Sequence, residues 1–401
     1  MKLRWLALAG VVFLNSTLHA EVSSDFLVKV RQKFSAQKGG AISAADFVSE
    51  LSESERAFIE KTQQYDYSDI FQATIPKGPD VYSYDLFHWQ SVTDKLQERG
   101  KDKLSCHSVY TEDSKTFREE DLRSRKNPPS QDFNMKNAWS FSYCAGGDED
   151  ADPESILFYF HGATGNPYNW LQRDSTYAIR QRWRETGKLP KWVSVSIGKI
   201  GHLAEIGKEE KFFDVIVPYI EGKLGFSQRP KYRFGLGVSQ GGANIVHAVL
   251  KNGAFFDAAV AICPAVVSTP PSASRAEWRR YAQRTQASRT LLRFVLSLVP
   301  LEFKKLDYWH KEVDALALGQ RYLNAKSSPL YIQTSSRDKL GLQEGGQIFA
   351  ILARTQGARV LFEALEGGHC VLRPTKIADY FTSFQEGELP LQLKLLGRTR
   401  R

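Results

Sequence analysis

A serine with a glycine two positions away on each side, in Gly237-Val-Ser-Gln-Gly241, constrains the fold of this chain more than any other stretch. Residues 232–236 form a short apolar run typical of a buried strand, and residues 243–251 repeat apolar side chains at helical spacing. A strand that turns directly into a helix brings backbone atoms close together, which glycine permits because it lacks a Cβ. The sequence therefore predicts a strand, a sharp turn with Ser239 at its apex, and a helix.

This turn makes Ser239 a candidate nucleophile. At the apex of such a turn the hydroxyl is exposed above the sheet, near the positive end of the next helix. A serine hydroxyl is a poor nucleophile unless a base takes its proton and a third group orients that base. We expect the base to be His369, which follows the last predicted strand, and the acid to be Asp338, which follows the strand before it.

Other residues fit these two roles less well. Glu344 is the second candidate for the acid, but it falls inside a predicted helix. His202 follows a predicted strand, and we expect it to lie in a surface loop, with contact to substrate as the alternative. The remaining histidines fall in the leader, before the sheet, in the loop at 160–166, in the helix after the serine or in the insertion: His19, His88, His107, His161, His247 and His310.

A glycine-containing loop, Phe160-His-Gly-Ala-Thr-Gly-Asn166, follows the first strongly apolar strand. Stabilising a developing oxyanion requires two backbone N–H groups aimed at one point. We expect these from Gln240, the residue after the serine, and from Ala163 in this loop. We expect His161 to hold the loop rather than to transfer protons.

Strand and helix patterns alternate from residue 155 onward. Strands are predicted at 156–160, 192–197, 232–236, 258–263, 330–334 and 359–365, and helices at 168–186, 209–224, 243–251, 341–355 and 374–384. Such alternation predicts an α/β fold with a mostly parallel sheet and helices on both faces. Ligands then bind beyond the carboxyl ends of the strands.

An insertion at about residues 265–328 interrupts this alternation and is rich in helical pattern. It falls where a cap over the site would be attached. Arginines alternate with apolar residues along it, at Arg275, Arg279, Arg280, Arg284, Arg289 and Arg293. A solvated helical face is the simplest interpretation, and contact with an anionic polymer or a membrane surface is the alternative.

The N-terminus has the pattern of a secretory signal peptide over residues 1–20, with Lys2 and Arg4 before an apolar run and cleavage near Ala20. That run, at 5–14, is shorter than the roughly 20 residues of a membrane span, and no later stretch qualifies. We therefore expect an exported protein, periplasmic or secreted, without a transmembrane span.

The mature chain divides into a predicted N-terminal extension, residues 21–135, and a main domain, residues 136–401, which carries the cap. Elements expected in or beside the extension are helices at 25–37 and 43–64, strands at 106–110 and 139–143, and a surface loop at 118–129.

The composition is that of an ordinary globular protein, with 42% hydrophobic and 25% charged residues. The net charge is +9, but no basic run is interleaved with aromatic residues, so we expect no nucleic-acid partner. Four cysteines in an exported protein could form two disulfides in three connectivities. We favour Cys106 with Cys144 and Cys263 with Cys370, with four free thiols as the alternative. We expect neither a cofactor nor a metal.

The motifs above resemble those of the α/β-hydrolases, and within them the secreted esterases similar to esterase D, feruloyl esterase and polyhydroxybutyrate depolymerase. The resembling stretches span about 155–385. They are Phe158-Tyr-Phe-His-Gly-Ala-Thr-Gly165, Phe212-Phe-Asp-Val-Ile-Val-Pro-Tyr-Ile-Glu221, the serine turn through Asn244, the Asp338 turn and Gly367-Gly-His369. The chain order Ser239, Asp338, His369 is also that of this superfamily.

The resemblance implies a serine hydrolase that cleaves carboxylic esters without a cofactor, through an acyl-enzyme on Ser239. Small-molecule, lipid-like and polymeric esters all stay open as substrates of this exported protein. The chain departs from the pattern at Gln240, where many such esterases have methionine, and in the length of the cap; residues 21 to about 135 resemble no known family. Two alternatives stay open: a serine peptidase on the same fold, and a catalytically silent binding protein.

Overall fold

The computed structural model describes residues 80–83, 103–111, 115–121, 139–147, 151–163, 165, 167–197, 202–267 and 269–388. The predicted signal peptide and the helices predicted at 25–37 and 43–64 lie outside these residues. The boundary predicted between the extension and the main domain stays a prediction.

A nine-stranded sheet forms the centre of the described residues. Its strands are β2 (Lys103–Thr111), β3 (Arg118–Asp121), β4 (Trp139–Gly147), β5 (Asp152–Phe160), β6 (Pro190–Ile197), β7 (Tyr232–Val238), β8 (Ala258–Ile262), β9 (Leu330–Ser335) and β10 (Val360–Leu365). A short pair, β1 (Tyr82–Ser83) with β11 (Val371–Leu372), lies apart from it. The sheet order is β10-β9-β8-β7-β5-β6-β4-β2-β3, so both predicted segments contribute strands.

The strands from β5 to β10 run parallel to one another, whereas β4 runs antiparallel to β6 and to β2, and β3 runs antiparallel to β2. The predicted mostly parallel sheet is therefore confirmed. Because the carboxyl ends of the parallel strands meet at one edge, the loops after them are brought together.

Eleven α-helices connect and cover the described strands. They are α1 (Asn169–Gln172), α2 (Asp174–Glu185), α3 (Lys208–Lys211), α4 (Val217–Lys223), α5 (Gln240–Lys251), α6 (Arg275–Thr285), α7 (Arg289–Leu298), α8 (Leu306–Tyr308), α9 (Ala315–Tyr322), α10 (Leu342–Thr355) and α11 (Pro374–Gln385). A π-helical turn, Phe212–Ile216, joins α3 to α4. Among the residues that the structure describes, no helix is long and apolar enough to cross a membrane.

The central strands are apolar on both sides because helices cover both faces of the sheet. Ile156 and Phe158 pack into a core with α4, α5 and α10. The alternate residues of the same strand, Leu157 and Tyr159, pack into a second core with α2 and α11. Successive side chains of a strand point to opposite faces, so β5 supplies both cores. The predicted layers on both faces are confirmed.

Two local predictions are wrong. The single helix predicted at 168–186 is two helices, because Arg173 has extended backbone angles (φ −87°, ψ 136°). The surface loop predicted at 118–129 begins with the edge strand β3, which pairs with β2. His202 lies in the loop after β6, as predicted, and is partly shielded because it packs against the Phe303 ring at 5.1 Å.

The cap insertion lies between β8 and β9 and contains α6 to α9, a 3-10 turn at Leu301–Lys304 and a π-helical turn at Trp309–Val313. Both favoured disulfides are present, Cys106–Cys144 and Cys263–Cys370, with Cα–Cα distances of 4.1 Å and 5.2 Å.

Candidate active site

Ser239 lies at the apex of the predicted strand–turn–helix, between β7 and α5. Its backbone has φ 56° and ψ −114°, angles that L-amino acids other than glycine rarely adopt. A Cβ at Gly237 would lie 2.1 Å from the carbonyl oxygen of Gly241, and a Cβ at Gly241 would lie 2.0 Å from that of Phe160. Both flanking glycines are therefore required by backbone contacts, and the predicted turn is confirmed.

The structure brings the hydroxyl of Ser239, the imidazole of His369 and the carboxylate of Asp338 into one hydrogen-bonded chain. With the proton on Nδ1, His369 donates to Asp338 Oδ2 at 3.0 Å, and its Nε2 accepts from Ser239 Oγ at 3.2 Å. Asp338 is 4% exposed and His369 is 8% exposed, so solvent competes little for these bonds. The other carboxylate oxygen, Asp338 Oδ1, accepts from Leu340 N–H at 2.8 Å.

His369 reaches Ser239 from a distant strand. It follows β10, the edge strand, whereas Ser239 follows β7, three strands away or roughly 14 Å at the usual strand spacing. The loop folds back over β9 and β8, where Val371 N–H donates to Ser335 Oγ at 2.9 Å. The Cys263–Cys370 disulfide joins this loop to the residue that follows β8.

The oxyanion candidates lie on two sides of Ser239. Gln240 is the first residue of α5, and its N–H precedes the first bond of that helix, from Ala243 N–H to Ser239 O at 3.0 Å. The loop after β5 passes beside the serine, since a Cβ at Gly162 would lie 3.6 Å from Ser239 Cβ. Ala163 is the exposed next residue.

His161 is a buried support of that loop. Its Nδ1–H donates to the carbonyl oxygen of Gly162 at 2.7 Å. Burial, against the effect of that bond, lowers the pKa of His161 to about 4. The imidazole is therefore neutral at neutral pH, in keeping with the predicted holding role.

The remaining described histidines have partners of other kinds. His247 Nε2 lies 2.7 Å from a carboxylate oxygen of Glu209, and His310 Nδ1 lies 3.1 Å from Asp314 Oδ2. Burial lowers the pKa of His202 to about 3, and the charge of the nearby His247 acts in the same direction. Glu344 lies in the first turn of α10 and pairs with Arg284 of the cap.

Three side chains near the site have metal-ligating atoms within 4.8 Å of one another: Cys263, His369 and Cys370. Zinc and related metals bind cysteine as thiolate, and the two sulfurs here are bonded to each other. In this disulfide form the cluster does not have the donor set of a metal site, and it restrains the histidine loop instead.

Sequence reasoning missed the contacts that the cap makes with the turn carrying Asp338. Tyr281 donates its hydroxyl to carbonyl oxygens of this turn, 59 and 60 residues farther along the chain. The apolar spacing in α6 indicated that one face of this helix is buried. It did not indicate that this face contacts the turn of Asp338.

No protein-family model matches the chain, and comparison with curated proteins finds no match. Among solved structures, a ferulic acid esterase is similar at 14% identity and a TM-score of 0.42, over 73% of this chain and 99% of that one. A hormone-sensitive lipase from a metagenome library is similar at 14% identity and 0.44, over 61% and 82%. An S-formylglutathione hydrolase from Agrobacterium tumefaciens is similar at 16% identity and 0.41, over 65% and 90%.

Identities and scores this low do not define what this chain acts on. Its own strand order, with β4 antiparallel to β6 at the end of a series of six parallel strands and a serine turn after β7, gives the α/β-hydrolase fold. The chain order of Ser239, Asp338 and His369 fits that fold.

Proposed function

We propose that this chain is a serine hydrolase that cleaves carboxylic esters through an acyl-enzyme on Ser239. The observation that carries the proposal is the hydrogen-bonded chain from Ser239 Oγ through the His369 ring to Asp338 Oδ2. A buried imidazole fixed between a hydroxyl and a carboxylate is the arrangement that activates a serine.

In the first half-reaction, His369 Nε2 takes the proton of Ser239 as Oγ attacks the ester carbonyl carbon. The carbonyl oxygen becomes an oxyanion, and the N–H groups of Ala163 and Gln240 are the proposed donors to it. His369 then gives its proton to the leaving alcohol as the carbon–oxygen bond breaks. Asp338 keeps the imidazole in the required tautomer and stabilises its charged form.

In the second half-reaction, water replaces the alcohol. His369 takes a proton from the water, whose oxygen attacks the acyl carbon, and the same N–H groups stabilise the second oxyanion. Collapse of this intermediate breaks the bond to Ser239 Oγ, which recovers its proton from His369. The carboxylic acid leaves and the free enzyme is restored, so the cycle requires only groups of this chain and water.

Hydrolysis of nitrophenyl esters with short, medium and long acyl chains tests the proposal. Ser239→Ala should reduce kcat by at least about 10⁴-fold, because no other group forms the acyl-enzyme. A fluorophosphonate probe should label the wild type and not the variant. The chain-length profile would show whether lipid-like esters fit.

A panel of peptide anilides separates the peptidase alternative. Faster turnover of anilides than of esters, abolished by Ser239→Ala, would replace esterase with peptidase. Folded protein that turned over neither panel and took up no probe would favour the silent binding protein.

We also propose that the protein is exported after cleavage near Ala20. The pattern of residues 1–20 and two disulfides support this, because disulfides persist mainly in oxidising compartments. N-terminal sequencing of protein from the periplasm and the medium would test it; a mature form that still begins at Met1 would contradict it.

The cap is the proposed site of any peripheral membrane contact. The arginines of α6 and α7 are all exposed, and Leu301 and Leu306 in the same insertion are 75% and 52% exposed. Basic and apolar groups together favour an anionic lipid surface. Sedimentation with anionic but not zwitterionic vesicles, weakened by Arg279→Glu, is expected; equal sedimentation with both would contradict the proposal.

A further inference from the structure

The cap contacts the turn that carries Asp338 through one buried tyrosine. The hydroxyl of Tyr281, in α6, lies 3.1 Å from the carbonyl oxygens of both Leu340 and Gly341, so its proton is shared between them. Tyr281 is 1% exposed and packs with Trp278, Ala282 and other residues of the cap. The hydroxyl is therefore fixed by the cap and bonded to the acid turn, residues 338–341.

Leu340 connects Tyr281 to the carboxylate of Asp338. Leu340 accepts the tyrosine hydroxyl at its carbonyl and donates its N–H to Asp338 Oδ1 at 2.8 Å. The other oxygen of that carboxylate accepts from His369 Nδ1 at 3.0 Å. Three consecutive hydrogen bonds thus connect the cap to the imidazole.

Neighbouring contacts fix the same turn to the cap. Ser288 N–H donates to the Lys339 carbonyl at 2.7 Å. Gly341 has φ +73°, and a Cβ there would lie 2.4 Å from Thr285 Oγ1, so side chains of α6 pack directly against the backbone of the turn. These contacts fix the position of the turn. The Tyr281 hydroxyl bonds the carbonyl oxygens of Leu340 and Gly341, which directly follow the Leu340 N–H.

The chemical state of Tyr281 suits this role. Burial, and after it the charge of Asp338, raise the pKa of the phenol above its usual range. The hydroxyl therefore keeps its proton and remains a donor across the pH range in which the triad would work.

We propose that Tyr281 is a positioning residue for Asp338, so that the inserted cap completes the geometry of the triad. This rests on the proposed function of Ser239, Asp338 and His369. Tyr281 does not touch the reacting atoms; it acts through the Leu340 peptide and the carboxylate.

Tyr281→Phe removes the hydroxyl and keeps the ring, which makes it the direct test. We expect kcat to fall about 10-fold, with KM within about twofold, because a small displacement of a catalytic group costs rate rather than binding. Tyr232→Phe is the matched control: its hydroxyl donates to the Gln385 carbonyl at 3.3 Å, at the amino end of β7, and its loss should leave kcat unchanged. Circular dichroism and thermal unfolding show that both variants are folded.

A double-mutant cycle tests whether the effect passes through Asp338. Asp338→Asn alone should lower kcat by about 10⁴-fold, and adding Tyr281→Phe should lower it no further. Independent losses that multiply would overturn the proposal, as would a folded Tyr281→Phe variant with wild-type kcat.

A spectroscopic readout keeps this test separate from the proposed function. The proton between His369 Nδ1 and Asp338 Oδ2 should give a far-downfield resonance in ¹H NMR, identified by its loss in Asp338→Asn. In Tyr281→Phe we expect it to move or broaden, and in Tyr232→Phe to stay unchanged, whether or not esters are hydrolysed. An unmoved resonance in Tyr281→Phe overturns the positioning role, whereas absent ester turnover overturns only the proposed function.

Discussion

The histidine loop and the acid turn lie side by side at the carboxyl edge of the sheet and are held by different means. A covalent bond, Cys263–Cys370, restrains the loop of His369, whereas hydrogen bonds from the cap restrain the turn of Asp338. The sheet explains the difference, because His369 follows the edge strand and must reach back over two strands. The His369 loop, which crosses two strands, is therefore the one with the covalent restraint.

The Cys106–Cys144 disulfide has a different role from the Cys263–Cys370 disulfide. Cys106 and Cys144 are directly opposed in the antiparallel pair of β2 with β4, where sheet hydrogen bonds already set their distance. Cys263 and Cys370 join two loops that share no ladder. One disulfide reinforces an existing pairing, and the other fixes the position of a candidate catalytic side chain.

Among these restraints, the largest effect is therefore expected from removing the Cys263–Cys370 disulfide. Cys263→Ala with Cys370→Ala should lower kcat by about 100-fold, because the His369 loop loses its restraint. Closing a loop of 107 residues contributes about 5 kcal/mol to the free energy of unfolding, so stability should fall too.

Cys106→Ala with Cys144→Ala is the matched control for this comparison. Its loop of 38 residues predicts a similar loss of about 4 kcal/mol, but kcat should stay within about twofold. Kinetics and urea unfolding of both variants, assayed where each is folded, separate the two effects. Equal losses of kcat would show that the contrast between the disulfides is wrong.

The loop at 160–166, which carries the candidate oxyanion donor Ala163, is supported by His161, and this support depends on pH. Because burial lowers the pKa of His161 to about 4, the unfolded chain binds more protons than the folded one between that value and its ordinary pKa of about 6.5. The lowered pKa of His161 therefore contributes about 3 kcal/mol to the free energy of unfolding above pH 6.5, and this contribution is lost as the pH falls toward 4.

His161→Asn should remove this acid-sensitive part of the stability. The difference in unfolding free energy between neutral and mildly acidic pH should become smaller in the variant, measured by urea unfolding at several pH values. An identical pH dependence in the variant and the wild type would exclude His161 as its source.

The smallest effect is expected at the surface of the cap. Arg284 forms a bidentate pair with Glu344, at 2.7 Å and 2.8 Å, but its side chain is 53% exposed. Exposed ion pairs contribute at most about 1 kcal/mol, so Arg284→Gln should change kcat less than about threefold. A loss as large as that of Tyr281→Phe would mean that the whole α6–α10 contact, rather than the buried hydroxyl, orients Asp338.

Local sequence was sufficient where neighbouring residues determine the conformation. Gly237 and Gly241 indicated the turn around Ser239 because their hydrogens are the only side chains that the adjacent backbone admits. The alternation of strands and helices predicted the parallel sheet, since each apolar run must be buried between layers.

Local sequence gave no sign of three local features that the structure shows. The break at Arg173 falls inside a continuous helical pattern, and the edge strand β3 lies in a charged stretch that reads as a loop. His202 is shielded by Phe303, which is about a hundred residues away in the cap. No periodicity near these positions records such partners.

The sequence by itself determined the strand–turn–helix at Ser239, the layered parallel sheet and the residue types available for chemistry, because short-range sterics and burial of apolar faces act on neighbouring residues. Only the tertiary structure decided that His369, Asp338 and Ser239 lie within hydrogen-bond distance and that Tyr281 bonds the acid turn. Those distances depend on the order of strands in the sheet and on the packing of an insertion, which join residues far apart in the chain.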